Sequence, residues 1–500
     1  MSESQGGPRV ERLGRDDWEG VRAVVAGFGV SGFAAADNLT HVGARVVAVD
    51  DRETEALTER AELLGVLGAD VHLGPGSTAA TAMPDDAEVL VVSPGWRPDA
   101  PLVAEAERRG IPVWSEVELA WRLREKRPDG TSTPWLAVTG TNGKTTTVRM
   151  LESILRAAGL RAVAAGNVGL PLTEAVMDPT PYDVLAVELS SFQLHHTRTV
   201  AAESAVCLNV AEDHLDWYPD MDAYARDKGR VYEGVSRACV YNAADPLTEQ
   251  LVRDADVVEG ARAIGFTLGT PGVGMVGLVE DILADRAFVA ARATSAAELC
   301  TIDDLFSPAP HVVEDALAAA ALARAHGVGQ AAVRDGLRSF RPDGHRIAVV
   351  AEGEAGRGVR WVDDSKATNP HAARSSLLAY DPVVWVAGGL AKGARFDDLV
   401  RDVAGRLRGA VLLGHDQHLI AEALARHAPD VPVVRVEGDE TAERTGPMGR
   451  AVEAAARLAQ PGDTVLLAPG CASMDQFTDY AARGDAFAEA VRERLGRPTD

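Results

Sequence analysis

From residue 21 the chain reads as an apolar run (21–29) ending in glycines, then a stretch of helical spacing (31–41), then a second apolar run, Arg45–Asp50. Short apolar runs rich in β-branched residues predict buried strands, and the order strand, helix, strand predicts a βαβ unit. A charged, breaker-rich segment at 126–134 precedes a fresh apolar strand at 135–138 and marks a first expected boundary. The middle third alternates predicted strands at 183–187, 205–208 and 238–241 with helical stretches such as the alanine-rich 315–326. A second breaker cluster at 341–344 marks the next boundary. Beyond it, 383–387, 409–413 and Thr464–Leu467 read as buried parallel strands separated by helices such as 450–458. The pattern predicts three α/β domains, with no internal repeat.

Composition narrows the partners. A chain of 500 residues exceeds what one hydrophobic core usually serves, and 46% apolar content is that of a globular protein. The formal charge of −24, from 74 acidic against 50 basic residues, is spread along the chain and argues against binding a nucleic-acid backbone. Any anionic ligand must therefore meet local cationic pockets. The first 18 residues are polar and mixed in charge, and no stretch is long and apolar enough to span a bilayer, so a cytoplasmic chain without membrane insertion is expected. Cys207, Cys239, Cys300 and Cys471 lie far apart and are expected to be buried thiols.

The strongest local signal is Gly140-Thr141-Asn142-Gly143-Lys144-Thr145-Thr146, after the strand at 135–138 and at the start of a helix. Its glycines let backbone N–H groups face phosphates, Lys144 supplies a cation, and a threonine hydroxyl can reach Mg²⁺. A nucleoside triphosphate is the expected ligand, although two residues separate the glycines where the general P-loop has four. Gly27-Phe28-Gly29-Val30-Ser31-Gly32 matches a second anion-binding turn, with Asp50 ending the next strand. That turn suits NAD or any other diphosphate, and tight strand-helix packing without ligand is its structural alternative.

Glu188 closes a predicted strand, where a carboxylate can hold Mg²⁺ against phosphates or simply be solvated. The segment 209–228 carries Glu212-Asp213-His214-Leu215-Asp216 and Lys228, as either a site or an acidic surface loop. In the last third, Asp363-Asp364-Ser365-Lys366-Ala367-Thr368-Asn369, Gly388-Gly389-Leu390-Ala391-Lys392 and Cys471-Ala472-Ser473-Met474-Asp475 each follow a predicted strand. Their lysines and hydroxyls suit a small anionic substrate.

As a series these motifs, with Gly166-Asn167-Val168-Gly169, E-L-S-S-F-Q-L at 188–194 and Gly344-His345-Arg346, resemble the Mur ligase family over nearly the whole chain. The D-S-K-A-T-N text at 364–369 resembles the D-glutamate-adding branch. The resemblance implies an N-terminal Rossmann-like domain for the UDP substrate (1–130), a central P-loop ATPase-like domain with a mostly parallel sheet (131–343) and a C-terminal Rossmann-like, glutamate-binding domain (344–500). It implies an ATP-dependent ligase that joins D-glutamate to UDP-N-acetylmuramoyl-L-alanine through an acyl phosphate and acts as a monomer. The alternative is a relative adding L-glutamate or another amino acid to a UDP-muramoyl or folate-type acceptor.

By resemblance, Gly140 to Thr146 hold the ATP phosphates, with Arg346 and Asp364 on the nucleotide from the third domain. Thr145 and Glu188 would serve one Mg²⁺, and His214 with a carbamylated Lys228 a second. Val30, Ser31, Asp51 and Arg52 correspond to the uridine-diphosphate region, and Asn167 and Ser190 to the muramoyl-peptide end. Lys366, Thr368, Lys392, Ser473 and Tyr480 correspond to the glutamate pocket. Two departures from the family text are Val312 and Asp315, where asparagines are common, and Leu390-Ala391 ahead of Lys392. The rival classes are an NAD oxidoreductase, which leaves the P-loop unexplained, and a silent binding protein, against which Lys144, Glu188, His214 and Lys228 all stand.

Overall fold

The apolar runs fold as strands of three separate sheets in the computed structural model, which describes residues 8–127, 129–342, 344–436 and 446–496. Pro128 and Asp343, inside the two expected boundary segments, lie outside the described residues. The first sheet contains β1 (Arg22–Ala26), β2 (Arg45–Asp50), β3 (Asp70–Leu73), β4 (Val89–Val92) and β5 (Val113–Ser115), all parallel in the order β3-β2-β1-β4-β5. Alternate residues of β1 and β4 feed apolar layers on both faces, with Val25 and Val91 on one and Val24 and Leu90 on the other. That two-sided burial is why these strands read as continuous apolar runs.

The second sheet contains β6 (Trp135–Thr139), β7 (Ala162–Gly166), β8 (Val184–Glu188), β9 (Ser204–Cys207), β10 (Ala238–Asn242), β11 (Arg262–Phe266), β12 (Met275–Val279), β13 (Ile282–Asp285) and β14 (Ala297–Thr301). Its order is β14-β13-β12-β11-β10-β9-β6-β8-β7, parallel from β7 through β12 and antiparallel for the last two pairs. The third sheet contains β15 (Ala348–Ala351), β16 (Arg360–Asp363), β17 (Val383–Gly388), β18 (Leu407–Leu413), β19 (Val433–Arg435) and β20 (Thr464–Leu467). Its order is β15-β16-β20-β17-β18-β19, with only β15 antiparallel.

In each parallel sheet the order reverses beside a central strand: β1 between β2 and β4, β6 between β8 and β9, β20 between β16 and β17. Helices leave on opposite faces at such points and open a crevice beyond the strand ends, where ligands bind in this architecture. The expected motifs occupy those positions, after β1, β6, β8, β16, β17 and β20.

The chain divides into two compact units. The first, which runs to Val210 and adds Asp220–Leu305 and Glu314–Phe340, holds the first two sheets. The second holds the third sheet together with Ala211–Pro219 and Phe306–Val313. Within the first unit, the helix Glu116–Leu123 behind β5 fastens one sheet to the other. Fully buried Glu118 accepts from the N–H groups of Arg198 (2.8 Å) and Thr199 (2.9 Å) and from the Thr199 hydroxyl (2.6 Å). Glu116 accepts from the Thr173 N–H (2.6 Å) and hydroxyl (3.0 Å), and burial pushes its carboxyl up to about 7. Buried carboxylates are tolerated only when they find such donors.

Candidate active site

Leaving β6, the chain turns through Gly140 (φ +152°) and Gly143 (φ +85°) into the helix Lys144–Ala157. A Cβ on Gly143 would lie 2.3 Å from Asp315 Oδ1, so only glycine fits there. The loop is pinned from behind by Asn209, just past β9. Asn209 accepts from the Thr141 N–H (3.0 Å, main-chain O) and the Asn142 N–H (2.9 Å, Oδ1), and its Nδ2 donates to Asn142 O at 3.3 Å. Lys144 Nζ folds over the turn and donates to the carbonyls of Gly140 and Thr141, both at 2.9 Å. Thr145 and Thr146 lie buried in the first helical turn.

Lys228 comes to the same loop from the helix Met221–Gly229. It is 1% exposed, its Nζ donates to Gly140 O at 2.8 Å, and the ammonium lies 4.5 Å from the centroid of the Tyr224 ring. Lys228 is therefore not a solvated surface lysine. The helix is fixed to the neighbouring Ser191–His195 by His195 Nδ1, 2.7 Å from Asp227 Oδ2. Lys144 and Lys228 thus place two ammonium groups on one carbonyl oxygen.

Glu188 ends β8 at 1% exposure. Its Oε1 accepts from Asn167 Nδ2 at 2.9 Å, whereas its Oε2 is buried without a hydrogen-bond partner. Asn167 also donates its N–H to Glu188 O at 2.9 Å. Ser190 caps the helix that follows, accepting from the Gln193 N–H (3.3 Å) and donating to Gln193 Oε1 (3.0 Å). Structure therefore gathers Gly140 to Thr146, Asn167, Glu188, Ser190 and Lys228 in one region of the first unit.

His214 belongs instead to the second unit, in Ala211–Pro219, with φ +56° and Nε2 3.7 Å from Asp213 Oδ2. Asp213 in turn accepts from Asn369 Nδ2 at 3.4 Å. Among the described residues no three His, Cys, Asp or Glu side chains stand as a preformed metal cluster. Of the two departures at 311–315, Val312 is buried in the second unit, while Asp315 is buried in the first and accepts from Thr147 Oγ1 at 3.1 Å. Asp315 therefore packs the P-loop helix.

In the first sheet a cleft of about 480 Å³ opens beyond β1, lined by Gly27, Gly29, Val30, Ser31, Asp50, Asp51, Arg52, Thr78, Ser93, Pro94 and Trp96. Asp50 accepts from the Phe28 N–H (2.8 Å) and is clasped by Arg52 through Nε (3.1 Å) and Nη2 (3.0 Å). Asp51 accepts from the Gly76 and Thr78 N–H groups, both at 3.1 Å, and from the Thr78 hydroxyl.

In the second unit, Asp364 follows β16, buried, and accepts from Ser376 Oγ and from the Ile347 N–H at 3.3 Å. Burial pushes its carboxyl up to about 6, against the lowering effect of those donors and of the Arg346 charge. Lys366 Nζ lies 3.9 Å from the Tyr480 ring centroid, and the Thr368 N–H donates to Lys366 O at 2.8 Å. The loops after β17 and β20 are zipped by two 2.9 Å bonds between Leu390 and Ala472. Asp416 Oδ2 accepts from the Ala391 N–H at 2.8 Å, so the unusual Leu390-Ala391 pair has its own anchor ahead of Lys392 (φ +50°). Ser473 is buried beside them.

Sequence reasoning missed the side chain that joins these loops. Arg483, 1% exposed, donates from Nε to Ser365 Oγ (2.9 Å), from Nη2 to Ser365 O (2.9 Å) and from Nη1 to Cys471 O (3.0 Å) and Gly388 O (3.4 Å). It thereby touches the loops carrying Lys366, Lys392 and Ser473 at once. Burial lowers its guanidinium to about 10.

The chain matches the MurD-like N-terminal domain of Mur ligases over residues 21–115, the Mur ligase middle domain over 138–295 and the Mur ligase glutamate ligase domain over 345–471. The chain belongs to the Mur ligase family. This Mur ligase is 59% identical over 476 residues to the UDP-N-acetylmuramoylalanine–D-glutamate ligase of Streptomyces avermitilis, covering 95% of this chain and 99% of that one. It is 46% identical over 505 residues to the enzyme of the same name from Mycolicibacterium smegmatis, covering 95% and 97%. Among solved structures, the UDP-N-acetylmuramate-alanine ligase of Thermotoga maritima matches with a TM-score of 0.55 at 18% identity, over 95% of this chain and 99% of that one. A pseudomurein peptide ligase from Methanothermus fervidus matches at 0.54 and 16%, over 95% and 100%. At such identity these two show a shared three-domain α/β fold.

Proposed function

We infer that this Mur ligase joins D-glutamate to UDP-N-acetylmuramoyl-L-alanine at the expense of ATP. The observation that carries the reading is the near full-length identity to ligases of that name, on a chain whose P-loop, Lys144 and buried Glu188 occupy one region.

A free carboxylate is a poor electrophile, so its oxygen first attacks the γ-phosphorus of ATP and ADP leaves. The amine of glutamate then attacks the acyl-phosphate carbonyl, the C–N bond forms, phosphate departs with the C–O electron pair, and the amine loses a proton. Lys144, Gly140 to Thr146 and the helix N-terminus hold the phosphates and stabilise the charge that builds on them. The buried, unpartnered Glu188 Oε2 and the hydroxyl of Thr145 fit Mg²⁺, a hard cation that takes oxygen ligands and would neutralise phosphate charge there. Asn167 holds the other Glu188 oxygen and so aims the free one.

In the same reading Lys228 is carbamylated and, with His214, serves a second Mg²⁺. Supporting this, Lys228 and Lys144 share one carbonyl acceptor, and replacing one of two neighbouring cations by an anion relieves their repulsion. Arg346 and Asp364 serve the nucleotide from the third sheet. Lys366, Thr368, Lys392, Ser473 and Tyr480 take glutamate, and the cleft at Val30, Ser31, Asp51 and Arg52 takes the UDP end. Functional domains divide at 130/131 and 343/344, and the enzyme works as a cytoplasmic monomer. Among the described residues no helix is long and apolar enough to cross a membrane.

The test is phosphate release with ATP, Mg²⁺ and UDP-N-acetylmuramoyl-L-alanine, offering D-glutamate, L-glutamate, lysine and diaminopimelate separately. Turnover with D-glutamate alone is expected; turnover only with a diamino acid overturns the assignment.

A further inference from the structure

The cleft beyond β1 has one wall that none of the sequence motifs singled out. Trp96, half-buried, stands over the glycine turn: a Cβ on Gly27 (φ +86°) would lie 2.8 Å from its Nε1. The absence of a side chain at Gly27 is therefore what admits the indole. Trp96 Nε1 donates to no described residue and is not among the buried, unpartnered atoms, so its N–H is solvent-accessible on a residue that lines the cleft.

The other polar groups of this cleft are largely committed. The Ser93 hydroxyl donates to Gly27 O at 2.8 Å, Arg52 is turned onto Asp50, and Asp51 is taken up by the Gly76 and Thr78 N–H groups and the Thr78 hydroxyl. What the turn still offers an anion is the first-turn N–H groups of the helix Val30–His41, the Ser31 hydroxyl and the indole N–H. Two carboxylates line the same cleft, so a neutral donor at its glycine edge is what a diphosphate needs there.

We propose that Trp96 is a specificity residue for the UDP substrate, its indole N–H donating to a diphosphate oxygen held at the Gly27 turn. The proposal rests on the assignment of this cleft to the UDP end. A hydrogen bond from a neutral donor to a charged acceptor is stronger than one between neutral groups, and an indole can supply it without adding a cation that Asp50 and Asp51 would capture.

The test compares Trp96→Phe, which keeps an aromatic wall and removes the N–H, with the wild-type enzyme. Expected are a roughly ten-fold rise in KM for UDP-N-acetylmuramoyl-L-alanine, unchanged kcat and ATP KM, and a matching loss of inhibition by UDP but not by uridine. A second measurement needs no variant to be active: in ¹⁵N-indole spectra of the wild-type protein, the Trp96 N–H resonance should move downfield with UDP and stay with uridine. Equal weakening for UDP and uridine, an unchanged KM, or an unmoved indole resonance on saturation with UDP overturns the role of Trp96. Failure of UDP to inhibit the wild-type enzyme at all instead removes the cleft's assignment.

Discussion

Replacing Arg483 by methionine should separate stability from substrate affinity. The substitution removes three close hydrogen bonds and one longer one. Ser365 Oγ keeps its 2.7 Å bond to Tyr480 O, so the main losses are the Ser365 and Cys471 carbonyls, left buried without their donor. Each orphaned group costs roughly 1–3 kcal/mol. Against that, the variant no longer buries a charge whose ionisation is held down to about 10, which returns about 3 kcal/mol. The two effects nearly offset, and net destabilisation should stay below about 3 kcal/mol. Geometry has no such compensation, because the loops bearing Lys366, Lys392 and Ser473 lose their common tie. KM for D-glutamate should rise at least about ten-fold, equivalent to roughly 1.4 kcal/mol of binding. KM for ATP should stay within about two-fold. Steady-state kinetics with urea unfolding as the fold control measures both. An unchanged glutamate KM in a folded variant, or equal rises for ATP and glutamate, would refute the argument.

Lys144→Ala should lower kcat by about 10²-fold or more while leaving the KM for the UDP substrate within a few-fold, since in the proposed function the lysine serves phosphates and not the first-sheet cleft; near-normal turnover would exclude the P-loop as the catalytic nucleotide site. Lys228→Ala should be nearly inactive and partly rescued by acetate, whose oxygens can stand in for a carbamate; full activity in bicarbonate-free buffer would remove the carbamate from the mechanism. Glu116 titrates higher in the folded protein (about 7) than its ordinary 4.5, so the native state holds an extra proton between those values. Its stabilising contribution is full below pH 4.5 and lost as pH rises through 7. Urea midpoints of Glu116→Gln should lack that component of the slope, and parallel pH profiles of variant and wild type would count against it.

The parallel strands were legible because both their faces are buried, leaving apolar runs that end near glycines or polar residues. Arg45–Asp50 and Thr464–Leu467 fold with the expected bounds. The P-loop was legible because backbone approach to phosphate demands glycine, and Gly143 meets Asp315 at a distance no Cβ tolerates. Harder to see were β12 to β14, which pair antiparallel with one another: Gly277 breaks the apolar run of β12, and Glu280 and Asp281 form the turn into β13. Arg483 sits in a helix whose text, Tyr-Ala-Ala-Arg-Gly-Asp, looks solvated; its acceptors come from segments far off in the sequence. Trp96 was invisible for a like reason, since its meaning depends on a glycine 69 positions earlier across two strands.

Glu116 and Glu118 bolt the helix behind the first sheet to Thr173, Arg198 and Thr199 of the second. The glycine turn after β1 and the P-loop after β6 therefore stand a set span apart within one compact unit. A substrate gripped at its diphosphate reaches the phosphate-binding loop with its far carboxyl only if the length between them matches that span. With the diphosphate in the first-sheet cleft, as proposed, the two buried carboxylates would act as a calliper: they would fix the reach available to an acceptor through a joint that lies in neither ligand-binding loop.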